Sequence, residues 1–240
     1  MGSAAAEEVA RRIVAYGGSQ EEVRIVFAAA PSQNEFLDCL ASASGVPWDR
    51  VVAFHMDEYI GLAPGAGESF GNFLRERLFG RVPLKAVHYI DPGADDPEQE
   101  CARYARILRE APLDVACLGI GENGHLAFND PPVADFEDSE LVKVVALDAV
   151  SREQQVHDGC FPDIRVVPLH AITLTIPALM QARYCSVVVP GPTKARAVAE
   201  MLDGPVAPSC PASVLRRHLD ADLNLDSSAA AHVDPVPHDS

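Results

Sequence analysis

Three stretches of this 240-residue chain bring together side chains that can move protons or hold anions. The densest is Cys117-Leu-Gly-Ile-Gly-Glu-Asn-Gly-His-Leu-Ala-Phe-Asn-Asp-Pro131, where an apolar run meets glycines, His125, Asn123, Asn129 and Asp130. A carboxylate bonded to one nitrogen of His125 would orient the imidazole and raise its basicity, leaving the other nitrogen to exchange a proton with a substrate. His125 and Asp130 meet if a turn folds the segment back. Gly119, Gly121 and Gly124 allow positive φ and close approach of a ligand to the backbone, although an ordinary strand-to-helix turn has the same look.

The second stretch is Asp57-Glu58, at the end of the apolar run Val51 to Phe54. On extended chain two adjacent side chains point to opposite sides, so at most one of these acids faces a shared pocket, and a solvated acidic turn would read the same way. The third is Pro190-Gly-Pro-Thr-Lys194. It puts a cation near a helix N-terminus, which is unfavourable unless an anion lies between the two. Ser32 and Gln33 follow the first strand, where Ser32 is placed to cap a helix whose free N–H groups suit a phosphate. Ser151 opens a polar segment in which Arg152 offers a further cation, although a solvated surface arginine would read the same way. No serine or cysteine has a nucleophile-elbow context and the histidines lack metal-site spacing, which leaves acid–base chemistry on a phosphorylated small molecule.

The elements that must position these groups alternate. Apolar strand-like runs at 23–29, 51–54, 87–90, 113–120, 141–147, 171–176 and 184–189 are separated by amphipathic helical stretches. The alternation predicts a single α/β domain over residues 1–226, a Rossmann-like doubly wound and mainly parallel sheet with helices on both faces. Ligands of such sheets bind beyond the carboxyl ends of the strands, where all three stretches fall. Residues 227–240 carry no core signal and are expected to fray.

With 35 acidic against 19 basic residues, the formal charge of −16 disfavours nucleic acid and anionic membranes as partners. It does not exclude a small anion, which needs only a local cation and oriented N–H groups. The six scattered cysteines fit reduced thiols. The first fifteen residues carry Glu7, Glu8, Arg11 and Arg12 instead of an apolar signal core, and no run reaches membrane-span length, so a cytoplasmic location is expected.

Phe54-His-Met-Asp-Glu-Tyr-Ile-Gly-Leu62 and Gly119-Ile-Gly-Glu-Asn-Gly-His-Leu-Ala-Phe-Asn-Asp-Pro131 resemble the two signature segments of the glucosamine-6-phosphate deaminases, also called isomerases. The resemblance extends through Pro190 to Lys194 and Cys210 to His218. It implies that Asp57 shuttles a proton between C2 and C1 of the sugar and that His125 assists ring opening. It also implies a phosphorylated amino sugar as substrate, fructose 6-phosphate and ammonia as products, no metal or organic cofactor, and in many members a homo-oligomer. Two carboxylates flank the family's histidine. Here they are Asp130, an acid one methylene shorter than the usual Glu, and Asn123, which hydrogen-bonds but cannot stabilise an imidazolium as a carboxylate would. The usual Gly-Gly-Thr phosphate loop is Ala29-Ala-Pro-Ser-Gln33. Lys194 matches a phosphate ligand, Arg152 is the candidate for the family's phosphate arginine, and Ser32, Gln33, Glu58 and Gly124 complete the expected substrate contacts. A 6-phosphogluconolactonase, from the same superfamily, and a sugar-phosphate-binding module with decayed chemistry are the alternatives.

Overall fold

The computed structural model describes residues 1–63, 65–131 and 133–233. In chain order its strands are β1 (Val23–Phe27), β2 (Val51–His55), β3 (Asp57–Tyr59), β4 (Ala86–His88), β5 (Val115–Leu118), β6 (Val142–Ala146), β7 (His170–Leu174), β8 (Tyr184–Val189) and β9 (Ala221–Leu225). The α-helices are α1 (Gly2–Gly17), α2 (Asn34–Ala41), α3 (Phe70–Leu74), α4 (Pro97–Leu108), α5 (Ala149–His157), α6 (Ile176–Met180) and α7 (Ala195–Asp203). None of them is long and apolar enough to cross a membrane.

Six strands form a wholly parallel sheet in the order β4-β2-β1-β5-β8-β9. Its central strands are apolar on both faces because both faces are covered, and the pleat sends alternate residues to opposite layers. Val23, Ile25 and Phe27 of β1, with Val115 and Cys117 of β5, join the layer of α1, α2 and α3. Val26, Ala116 and Leu118 join the layer of α4, α6 and α7. Arg24 interrupts the apolar pattern. Its guanidinium donates 2.7 Å to the Ile107 carbonyl in the last turn of α4, where a cation complements the free carbonyls.

The strand order reverses between β1 and β5, which opens a crevice at their carboxyl ends. The parallel sheet is the one that the alternation predicts, but the strands expected at 141–147 and 171–176 are not in it. β6 and β7 pair antiparallel with each other, and β3 joins them in a small separate sheet, in register Asp57↔Thr173. Alternation of apolar runs does not say which sheet a strand enters. The chain leaves the parallel sheet at His55 and enters the antiparallel one at Asp57, so the junction delivers the acid pair to the crevice.

The hinge between the sheets is fastened by His55. Its Nε2 accepts the Ile90 N–H at 2.9 Å, so Nδ1 carries the proton and donates it to the Asp57 carbonyl at 2.8 Å. Burial holds this imidazole neutral, with its pKa lowered to about 4. Residues 227–233, from the segment expected to fray, form turns and a bend. Ala229 is buried and its N–H donates to Asp226 Oδ1, while Asp226 Oδ2 accepts from Gly191 N–H beside the 190–194 turn. Residues 234–240 lie outside the described residues.

Glu58 fixes the start of α3. Its buried carboxylate accepts from Ser69 Oγ at 2.7 Å, Gly71 N at 3.0 Å, Phe70 N at 3.2 Å and its neighbour Tyr59 N at 3.0 Å. Removing it would strand these donors in a dry site. Glu58→Ala is therefore expected to lower unfolding stability by about 3 kcal/mol in urea titration. A loss within about 0.5 kcal/mol, the scale of an ordinary surface change, would contradict the clamp.

Candidate active site

The crevice holds a cavity lined by Ala28 to Ala30, Ser32 and Gln33 after β1, Met56 and Asp57 after β2, Gly119 to Gly121 and His125 after β5, and Gln154 and Gln155 from α5. Phe70 and Phe128 are part of its wall. Their rings lie 5.7 Å apart and both pack on Tyr59, which ties α3, the loop after β5 and β3 together.

The loop after β5 folds back on itself through two residues with left-handed φ, Gly124 at 83° and Ala127 at 50°. Gly121 is required for a different reason. A Cβ there would meet the His125 ring at 2.1 Å, so the imidazole lies directly against bare backbone. Asn129 Nδ2 donates to the Leu174 carbonyl at 2.8 Å, and Thr173 Oγ1 accepts from Phe128 N at 3.1 Å. These bonds anchor the loop to β7.

The fold-back brings Asp130 to His125, a contact that the five-residue spacing allows once the segment turns. His125 Nδ1 lies 2.8 Å from Asn123 Oδ1, 3.0 Å from Ser151 Oγ and 3.2 Å from Asp130 Oδ1. Asn123 presents its oxygen to His125 because its Nδ2 donates to Asp130 Oδ1 at 2.9 Å, and Ser151 Oγ donates to the same carboxylate oxygen. All three neighbours of Nδ1 are oxygens, so Nδ1 carries the proton and Nε2 is left as the free base. Burial opposes ionisation of Asp130, but the bonds from His125, Asn123 and Ser151 prevail and hold its pKa down at about 2.

Asp57 faces the cavity while Glu58 turns away, as extended chain requires. The Asp57 carboxylate has no hydrogen-bond partner among the described residues. Burial, reinforced by the charge of Glu58, pushes its pKa well above the ordinary carboxylate range. A buried base of this kind, opposite an imidazole with a free nitrogen, can take a proton from one atom of a bound molecule and return it to another.

Several expected contacts lie elsewhere. Glu58 is spent on α3. Gly124 is buried under the site, where a Cβ would meet Cys210 Sγ at 2.8 Å. Arg152 points out of the cavity and donates 2.6 Å to the Ile164 carbonyl and 3.1 Å to that of Val167. Ser32 lines the cavity but does not cap α2, because a short helical turn over Pro31–Gln33 comes first, and its Oγ lies 3.3 Å from Gln33 Nε2. Gln33 is itself held by the Val188 carbonyl at 3.0 Å. Lys194 is not on the lining. It is buried, its Nζ has no partner among the described residues, and desolvation lowers its pKa against the pull of Asp158 and Glu122. Glu122 N–H in turn donates to Gln154 on the cavity wall at 2.9 Å.

Three site residues escaped the sequence: Ser151, Gln154 and Gln155. Their signal was helical spacing, since positions i, i+3 and i+4 share one face of α5, and Arg152 is off that face.

Comparison with known proteins bears on the family and the fold. The family described as glucosamine-6-phosphate isomerases/6-phosphogluconolactonase matches over residues 1–223. A glucosamine-6-phosphate deaminase of Listeria monocytogenes is 36% identical over 227 residues, covering 95% of each chain. One of Bacillus cytotoxicus is 37% identical over 180 residues, 75% of this chain and 67% of the relative. A solved monomeric glucosamine-6-phosphate deaminase superposes with a TM-score of 0.87 at 26% identity, covering 96% of this chain and 95% of that one. The 6-phosphogluconolactonase of Trypanosoma brucei shares the fold, with a TM-score of 0.74 at 19% identity over 98% and 96% of the two chains. The chain thus belongs to the glucosamine-6-phosphate isomerase/6-phosphogluconolactonase family.

Proposed function

We propose that this protein isomerises and deaminates a hexosamine 6-phosphate, converting glucosamine 6-phosphate to fructose 6-phosphate and ammonia. The observation that carries the reading is the placement of an unbonded, buried Asp57 carboxylate in one cavity with His125, whose free nitrogen is Nε2. The relatives named as deaminases that cover nearly the whole chain support it. His125 Nε2 takes the proton of the sugar's anomeric hydroxyl as the ring opens and returns one to the ring oxygen. Asp57 then removes the C2 proton, giving an enolamine, and delivers it to C1. Water adds to the resulting C2 imine and ammonia leaves. Lys194 supplies the positive charge for the phosphate, with Ser32 at the cavity edge, and the enzyme works in the cytoplasm.

Ammonia release from glucosamine 6-phosphate, measured beside hydrolysis of 6-phosphogluconolactone, tests the reading. Release of ammonia is expected. No release from this substrate or its galactosamine counterpart, with lactone consumed, would replace it by the hydrolase.

Asp57→Asn keeps the volume and removes the base, so kcat should fall at least ~100-fold. His125→Gln should cost less, because some open-chain sugar is always present. The reverse order would reject this division of roles between the two side chains. The raised pKa of Asp57 also puts the acid limb of the rate profile above the ordinary carboxylate range, since the base must be ionised to act.

The same shift has a sign for stability. Between its ordinary and raised values Asp57 binds more protons in the native chain than in the unfolded one, so native stability falls as pH rises through that window. Asp57→Asn is therefore expected to have a higher Tm than the wild type at pH 7, with the gain shrinking as pH falls toward the ordinary carboxylate range. Lys194→Met should weaken competitive inhibition by inorganic phosphate about tenfold or more, the scale of a lost charge-assisted bond, and unchanged inhibition would move the phosphate site elsewhere.

A further inference from the structure

The imidazole of His125 is connected to one oxygen of Asp130 by two bridges. One runs through the carboxamide of Asn123, with 2.8 Å from Nδ1 to Oδ1 and 2.9 Å from Nδ2 to the carboxylate. The other runs through Ser151, whose hydroxyl stands 3.0 Å from Nδ1 and also bonds Asp130 Oδ1. A serine hydroxyl has one proton. Because Asp130 is ionised and can only accept, that proton goes to the carboxylate and the hydroxyl's lone pair faces Nδ1–H. Ser151 is fully buried and comes from α5, a different element from the loop that carries the other three residues.

We propose that Ser151 is a positioning residue for the histidine of this reaction: it fixes the Nδ1–H tautomer and locks the ring and Asp130 to α5. The inference rests on the proposed deaminase reading for its kinetic part only. Asn123 is a neutral carboxamide, so that position does not force a proton onto Nδ1 by charge. A rotated carboxamide would present its NH2 to Nδ1 and reverse the tautomer, at the cost of the bond that Asn123 Oδ1 accepts from His125 N–H at 3.1 Å and of the one that its Nδ2 gives Asp130. Ser151 adds to these constraints. Its own proton is committed to Asp130, so Nδ1 always meets an acceptor, and with Asp130 held in place the carboxamide keeps its NH2 on the carboxylate.

Other charged groups near the ring are accounted for. Asp57 shares the cavity but points from β3, and Glu122 lies 3.9 Å from His157 at the far end of α5. Gln154, the next residue on the same helix face, is used by Glu122 N–H and does not reach His125.

Ser151→Ala removes one oxygen and leaves the helix able to form. ¹⁵N NMR of His125 is expected to show a single Nδ1–H tautomer in the wild type and a mixture in Ser151→Ala, whether or not any sugar turns over. With glucosamine 6-phosphate as the probe, kcat should fall about tenfold, the scale of one charge-assisted hydrogen bond. KM should stay within twofold because the phosphate is held elsewhere. In an Asp130→Asn background the same change should add little, since Ser151 acts through that carboxylate. A single Nδ1–H tautomer in Ser151→Ala would overturn the proposal, as would a full additional loss on top of Asp130→Asn. If the wild type releases no ammonia, the reaction assignment fails while the tautomer measurement still decides the role of Ser151.

Discussion

The site depends on a buried carboxylate held where its ionisation is opposed. Asp57 sits at the point where the chain passes from the parallel sheet to the antiparallel one, and its backbone is fastened there by a neutral His55. Burial strips the charge of most of its solvation, and no donor among the described residues bonds it. A base in such surroundings is stronger than a solvated carboxylate, which suits the removal of a weakly acidic carbon-bound proton. The fold carries this cost because the rest of the junction is over-determined: Tyr104 OH bonds the carbonyls of His55 and His88, and Glu58 next door is saturated by the first turn of α3.

The two adjacent acids thus divide into opposite tasks through strand geometry alone. Asp57 keeps its carboxylate unbonded for chemistry, while Glu58 spends its own on structure, and each influences the other because the charge on Glu58 makes Asp57 harder to ionise. A parallel contrast separates Asp57 from Asp130. Both are buried, yet Asp130 is held at about 2 by its hydrogen bonds while Asp57 is pushed up. Carboxylates driven apart by their surroundings fit the different roles proposed for them, one as a fixed charge that orients an imidazole and one as a titrating base.

Much of this was legible in the sequence where the signal is local. The doubly wound sheet follows from alternation, and the opposite orientations of Asp57 and Glu58 follow from extended chain. The return of Asp130 to His125 needed only a turn, which Gly124 and Ala127 supply. What was not legible depends on where elements pack. Apolar runs do not reveal that β6 and β7 leave the main sheet. A charged side chain also draws attention that its neutral neighbours do not. Arg152 was the evident anion ligand of its segment, but it secures the carbonyls of Ile164 and Val167, while the uncharged Ser151, Gln154 and Gln155 on the other face of α5 reach the site. The helix period would have separated them once the segment was taken as a helix.

The acidity of the whole chain and the demand for a cation at the site are reconciled by burial. A surface lysine on a protein of formal charge −16 would be neutralised by the surrounding acids and screened by salt. Lys194 is instead withdrawn from water beside the first turn of α7, with its Nζ unbonded and its charge disfavoured. Desolvation has then already been borne in the free protein, so in the proposed phosphate-binding role Nζ gains more from an anion than a hydrated cation would. The net charge offers anions no long-range attraction, so under the role proposed for Lys194 selectivity rests on the short-range match of phosphate to a buried ammonium. The contrast is the one seen at Asp57: among the described residues neither the Asp57 carboxylate nor Lys194 Nζ has a hydrogen-bond partner, whereas the carboxylates of Glu58 and Asp130 are each held by several donors.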